Sequence, residues 1–138
     1  MIGDVCLLGS CLDEGMLYKN AHKLIGSQGV IQGKLFIFHC DNDNILSYLF
    51  AVARIGEVAI GKRAMDVNKI AEMLKMYDSG FVKENISNVV RYVNNKVEFI
   101  DVSDMVTGHL DYREKMFELL KMTDFGNDER SSMVTSFF

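Results

Sequence analysis

The chain has 138 residues, 49% of them apolar and 25% charged, the make-up of one globular domain, which excludes a disordered or fibrous segment. A formal net charge of −4 without a sustained Lys/Arg run leaves no electrostatic footprint for nucleic acid and no polybasic membrane patch. Average usage would place roughly 7 prolines in this length; there are none, and 11 glycines, so turns fall to Gly, Asn and Asp.

In chain order, Val5-Cys6-Leu7-Leu8-Gly9 is a continuous apolar run closed by Gly, the pattern of a strand buried on both faces. From Met16 to Ile25, residues Leu17, Ala21, Leu24 and Ile25 share one helical face, with Gly26 placed to terminate it. Gly26-Ser27-Gln28-Gly29 reads as a turn, and Leu35-Phe36-Ile37-Phe38 as a second buried strand. Asp41-Asn42-Asp43-Asn44 offers helix N-caps ahead of the stripe Ile45, Leu49, Val52 and Ala53.

Asp66 caps a further helix carrying Val67, Ile70, Ala71 and Leu74. Val82, Ile86, Val89, Val90 and Val93 repeat at helical spacing too; Val89-Val90-Arg91-Tyr92-Val93 is β-branched enough for a strand, but we assign helix. Asn94-Asn95 is a turn signal before a third strand, Val97 to Val102. Asp111 and Glu114 have capping-box spacing for a last helix, near 111–122, whose apolar face is Tyr112, Met116, Leu119 and Leu120. From Gly126 onward the chain reads as a tail.

These elements specify an α/β fold with a short parallel sheet of about three strands, near 4–9, 34–39 and 97–102, the second central. Repeated crossovers in one direction put the intervening helices on one face. Only the last helix then remains for the other face, which is expected to be under-covered, and strand 4–9 is expected to have an open edge. The longest apolar run without charge, Asn44 to Ala53, is about half of the ~20 residues that cross a bilayer. With no basic-then-apolar leader pattern, the expectation is a cytoplasmic chain. Cys6, Cys11 and Cys40 form no C-x-x-C pair and fit reduced thiols.

Ligands and catalytic groups collect at the carboxyl ends of parallel strands. Three loops matter: Ser10-Cys11, Cys40 to Asn44, and Ser103 to Asp111. Asp43 and His109 lie in two of them. A carboxylate that accepts from an imidazole fixes its tautomer and stabilises the imidazolium, the acid and base parts of an acyl-transfer triad. Other readings of these residues are a helix N-cap for Asp43 and a turn histidine for His109. Ser10 or Cys11 could stand in as nucleophile beside His109, although Gly-Ser-Cys reads more simply as a turn. His22, His39 and Cys40 match no metal-ligand spacing, and no cofactor motif occurs. The nine methionines fall mostly on helical apolar stripes and read as core filler.

Phe38-His39-Cys40-Asp41-Asn42-Asp43-Asn44-Ile45-Leu46 resembles the segment after the seventh strand of α/β-hydrolases, where the triad acid precedes an apolar helix. Val97 to His109, continuing Leu110-Asp111-Tyr112, resembles the eighth strand and histidine loop. Over about residues 2–123 the chain is similar to the C-terminal part of an α/β-hydrolase-like family of unknown function that includes a eukaryotic transmembrane and coiled-coil domain protein. Leu7-Leu8-Gly9, Asn42-Asp43-Asn44-Ile45-Leu46 and Thr107-Gly108-His109-Leu110-Asp111-Tyr112 stand at that family's motifs, the last being the most specific. Asn44 replaces the family's tryptophan. Lys62 to Lys96 is longer than the family pattern, so a helical insertion is expected at about 62–96 within a domain of 1–125, with 126–138 as tail.

No G-x-S-x-G occurs in the chain. In the order Ser, Asp, His the nucleophile elbow would lie upstream of Met1, and with it part of the oxyanion hole. The resemblance therefore implies the Asp43- and His109-bearing portion of a lipase- or esterase-like serine hydrolase that needs a nucleophile-bearing N-terminal part. The alternative is a non-catalytic, hydrolase-derived module for binding or dimerisation. The expected partners are that nucleophile-bearing half or a second copy paired through the strand 4–9 edge, with neither nucleic acid nor a membrane span.

Overall fold

The computed structural model describes residues 2–8, 14–40, 60, 64–104, 115–121 and 132–135. The elements are β1 (Val5–Leu8), α1 (Glu14–Ile25), β2 (Leu35–His39), α2 (Val67–Tyr77), α3 (Ile86–Lys96), β3 (Val97–Asp101), α4 (Met116–Leu120) and β4 (Ser132–Thr135). The expected helix over 45–53 lies outside the described residues.

β1, β2 and β3 form the expected parallel sheet with β2 between the other two: Val5 pairs with Leu35, and Leu35 with Val97. Apolar residues at every position of β1 and β2 follow from burial on both faces. Alternation along the strands sends Val5, Leu7, Leu35, Ile37, Val97 and Phe99 into one cluster. Buried residues of α1 (Tyr18, Ala21, Ile25), α2 (Ile70, Ala71, Leu74) and α3 (Val89, Val93) close on that side. Both crossovers thus lay their described helices, α1, α2 and α3, on the same face, as strands added in one direction with a fixed crossover hand require.

The opposite face differs from the expectation of thin cover. Cys6, Phe36, Phe38 and Cys40 there are 0% exposed, with Leu119 and Leu120 of α4 packed among them. The open edge expected at strand 4–9 is also corrected: β4 pairs parallel with β1 from Val5↔Ser132 to Leu8↔Thr135, giving the strand order β3-β2-β1-β4. Residues 132–135, in the segment expected to be tail, satisfy the backbone groups that a bare β1 would expose. At the other edge β3 carries exposed Glu98 and Asp101, charges of the kind that discourage edge-to-edge pairing.

Local chemistry sets the helix ends. The Asp66 carboxylate accepts from the amides of Asn68 (2.9 Å) and Lys69 (3.4 Å), and the Asp66 amide donates to the Tyr18 hydroxyl (2.8 Å), which ties the start of α2 to α1. Asn85 caps α3. The third helix was expected to include Val82, but Val82 is 53% exposed in the turn before the cap, while Val89 and Val93 are fully buried. The Asn94-Asn95 turn signal is overridden as well: α3 runs through Lys96 straight into β3 at Val97.

A buried carboxylate joins the ends of α1 and α2. Asp78, 7% exposed, accepts from the Ser27 amide (2.7 Å), the Ser27 hydroxyl (2.6 Å) and the Gly80 amide (2.9 Å). Burial alone would raise its pKa; the Ser27 and Gly80 hydrogen bonds and the nearby His22 outweigh that and hold it below the usual value. Gly26 is required beside it, because a Cβ there would run into Asp78 Oδ2 and the His22 carbonyl. The Tyr92 hydroxyl donates to the Ile25 carbonyl at 2.6 Å and fastens α3 to the same corner.

Candidate functional site

The carboxyl ends of β1, β2 and β3 lie side by side, because the parallel pairing is in register throughout. β2 ends at His39 and β3 at Asp101, and these two residues are register partners. The His39 carbonyl accepts from the Val102 amide at 2.9 Å, so the ladder extends one residue past β3. Ser10, Cys11, Asp43 and His109 lie outside the described residues, in the segments that leave these strand ends.

At the described rim, His39 is 7% exposed and Asp101 is exposed. By alternation both belong to the sheet face that α1, α2 and α3 cover. The Asp101 carboxylate accepts from the Ser103 hydroxyl (2.6 Å) and the Ser103 amide (3.0 Å). Those two bonds, side chain first, lower its pKa against a smaller opposing effect of desolvation, and the charge of His39 adds to the lowering. The rim therefore holds a fixed, ionised carboxylate next to a buried imidazole. Neither His39 nor Asp101 was singled out as a pair from sequence; the available signal was Asp-x-Ser at a strand end, the spacing of an Asx turn.

The Cys6 thiol is not a reactive one. Cys6 and Cys40 are buried and outside any disulfide, and burial pushes the Cys6 thiol up to about 12, so it stays protonated at neutral pH. Among the described residues no group of three or more His, Cys, Asp or Glu side chains is arranged to hold a metal. His22 stacks on Tyr77, ring centroids 5.6 Å apart, on the helical surface. An apolar gap of ≈ 10 Å³ between α1, α2 and the sheet, bordered by Leu17, Leu24, Ile70 and Phe99, has room for about one water and no polar partner for it, so it belongs to the core. No helix among the described residues is long and apolar enough to cross a membrane.

A family model described as a protein of unknown function, DUF726, matches residues 73–126. The match runs from the last turn of α2 through α3, β3 and α4, and takes in Gly108-His109-Leu110-Asp111-Tyr112. It covers less than half of the chain, and its description assigns neither fold nor activity. No curated protein and no solved structure matches the chain.

Proposed function

We propose that this chain supplies the acid and base of a lipase- or esterase-like acyl-hydrolase site, with Asp43 orienting His109, and that the nucleophile is brought by a separate nucleophile-bearing part. The observation that supports this reading is the neighbouring, in-register arrangement of β2 and β3, with His39 opposite Asp101. Asp43 follows His39 by only four residues and His109 follows Asp101 by eight, so both loops leave adjacent strand ends. Such ends of a parallel sheet are where catalytic groups from different loops converge. An aspartate that accepts from one imidazole nitrogen makes the other nitrogen a general base for a hydroxyl nucleophile.

Cysteines placed at both positions test the convergence. In Asp43→Cys/His109→Cys, mild oxidation is expected to give a 43–109 disulfide identified by peptide mapping, since bridging needs Cα atoms roughly 4.4–6.8 Å apart or loops that can reach that separation. Free thiols at both positions after oxidation, in a folded chain, would contradict the proposal. The second reading is a hydrolase-derived module that binds or dimerises without catalysis; the β1 edge through which a second copy was expected to pair is occupied by β4.

A further inference from the structure

The corner around Asp78 presents donors to its carboxylate from two turns. Oδ2 accepts from the Ser27 amide at 2.7 Å, and Oδ1 accepts from the Ser27 hydroxyl at 2.6 Å and the Gly80 amide at 2.9 Å. An amide N–H cannot accept, so of these partners only the Ser27 hydroxyl is able to turn and receive a proton. Gly26 closes in on Oδ2, where a Cβ would collide. Two titratable groups face the carboxylate. His22 from α1 favours its ionised form through positive charge, and Tyr92 from α3 has its own ionisation pushed up by burial and then by the Asp78 charge.

Each of the two turns that meet here has fastenings of its own. The Gly29 amide donates to the Gly26 carbonyl (3.0 Å), and the Phe81 amide to the Asp78 carbonyl (3.0 Å). The Lys75 ammonium donates to the Val82 and Glu84 carbonyls at 3.1 and 2.8 Å. Between 26–29 and 78–81, by contrast, the hydrogen bonds among the described residues both run from Ser27 to the Asp78 carboxylate. We propose that Asp78 is an acid-operated latch: when its carboxylate takes up a proton from solvent, the turn at Ser27 separates from the turn after α2 while the sheet stays folded. A hydrogen bond to an ionised acceptor is roughly twice as strong as one to a neutral acceptor, so one proton weakens every bond at the corner. The burial that joins α1 to α2, through Ala21, Ile25, Ile70 and Leu74, is aliphatic and does not titrate, which makes the opening local. The sign follows from the lowered native pKa of Asp78: the latch is fully closed above the ordinary carboxylate value of about 3.9 and opens as pH falls through the lower native value. This device is independent of the roles proposed for Asp43 and His109.

Native-state hydrogen exchange on the full chain, followed by NMR from about pH 5 to about pH 2 and corrected for the intrinsic rate, tests it. The Ser27 amide is expected to lose protection about tenfold, while the Ile37 amide in β2 keeps its own. The Asp78 carboxyl carbon shift should titrate with the same midpoint. Ser27 protection that is constant over the range, or that falls only together with Ile37, overturns the proposal. So does a carboxyl midpoint that differs from that of the exchange. In Asp78→Ala the Ser27 amide should be weakly protected at every pH; an acid-dependent loss that persists there assigns the titration to another group and overturns the latch. Should that variant not fold, the two wild-type midpoints decide.

Discussion

Removing the Asp78 carboxylate should cost the fold about 3 kcal/mol. The carboxylate accepts three hydrogen bonds from Ser27 and Gly80 at 2.6–2.9 Å, and bonds to a charged acceptor contribute roughly 1.5–3 kcal/mol each. Their sum is an overestimate. Ser27 is exposed, so its hydroxyl recovers water in Asp78→Ala, and effects within one network are not additive. What stays lost is the link between the turn after α1 and the turn after α2, with both amides left short of an acceptor. For a urea m-value of about 1.5 kcal/mol/M, the midpoint should fall by about 2 M at unchanged m. Asp78→Asn keeps one acceptor oxygen and should lose about half as much. The pH dependence has a definite sign. The native pKa is lowered, so the stabilisation is complete above the unfolded carboxylate value of about 4 and disappears as pH falls through the lower native value. The gap between wild type and Asp78→Ala should therefore narrow in acid. A loss under about 0.5 kcal/mol at pH 7 would mean that water replaces the carboxylate, and would refute the reasoning.

Leu119→Ala should cost about 3 kcal/mol by urea titration, because Leu119 is fully buried against Phe36 and Phe38 on the face opposite the crossovers; a near-neutral result would remove α4 from that face. Gly33→Ala should cost about 2 kcal/mol, since its Cβ would meet Asp4 Oδ1 and the Gly3 carbonyl carbon at 2.7 Å, and a stabilised variant would contradict it. On the proposed function, the chain alone should hydrolyse short acyl esters no faster than background, because a base and its orienter without nucleophile or oxyanion donors would leave the barrier largely intact. Turnover lost in Ser10→Ala or Cys11→Ala would identify a nucleophile within the chain.

The strands and the helix faces were legible because burial dictates their patterns. Leu35 to Phe38 has no polar position to spare, and Ile70, Ala71 and Leu74 repeat at the helical period. β4 was not legible: three residues, Met133-Val134-Thr135, carry too short a pattern, and a parallel partner far away in sequence leaves no turn signal beside them. Val82 matched the helical period yet stayed outside the helix, because Asn85 caps at a later position. Asp78 looked like an ordinary polar residue, since its main partner lies 51 residues away. For the site, the adjacency of the strand ends could be anticipated from strand order, whereas the roles proposed for Asp43 and His109 rest on the Asn-Asp and Gly-His-Leu-Asp-Tyr wording. The His39–Asp101 pair needed the strand register, which composition does not encode.

The most direct measurement of the central claim is an NMR titration of the histidine ring protons in wild type and Asp43→Asn. If Asp43 orients His109, the substitution should lower the His109 midpoint, since a neighbouring carboxylate favours the imidazolium. A His109 titration that is identical in the two proteins would show that the two residues do not meet, and would contradict the account.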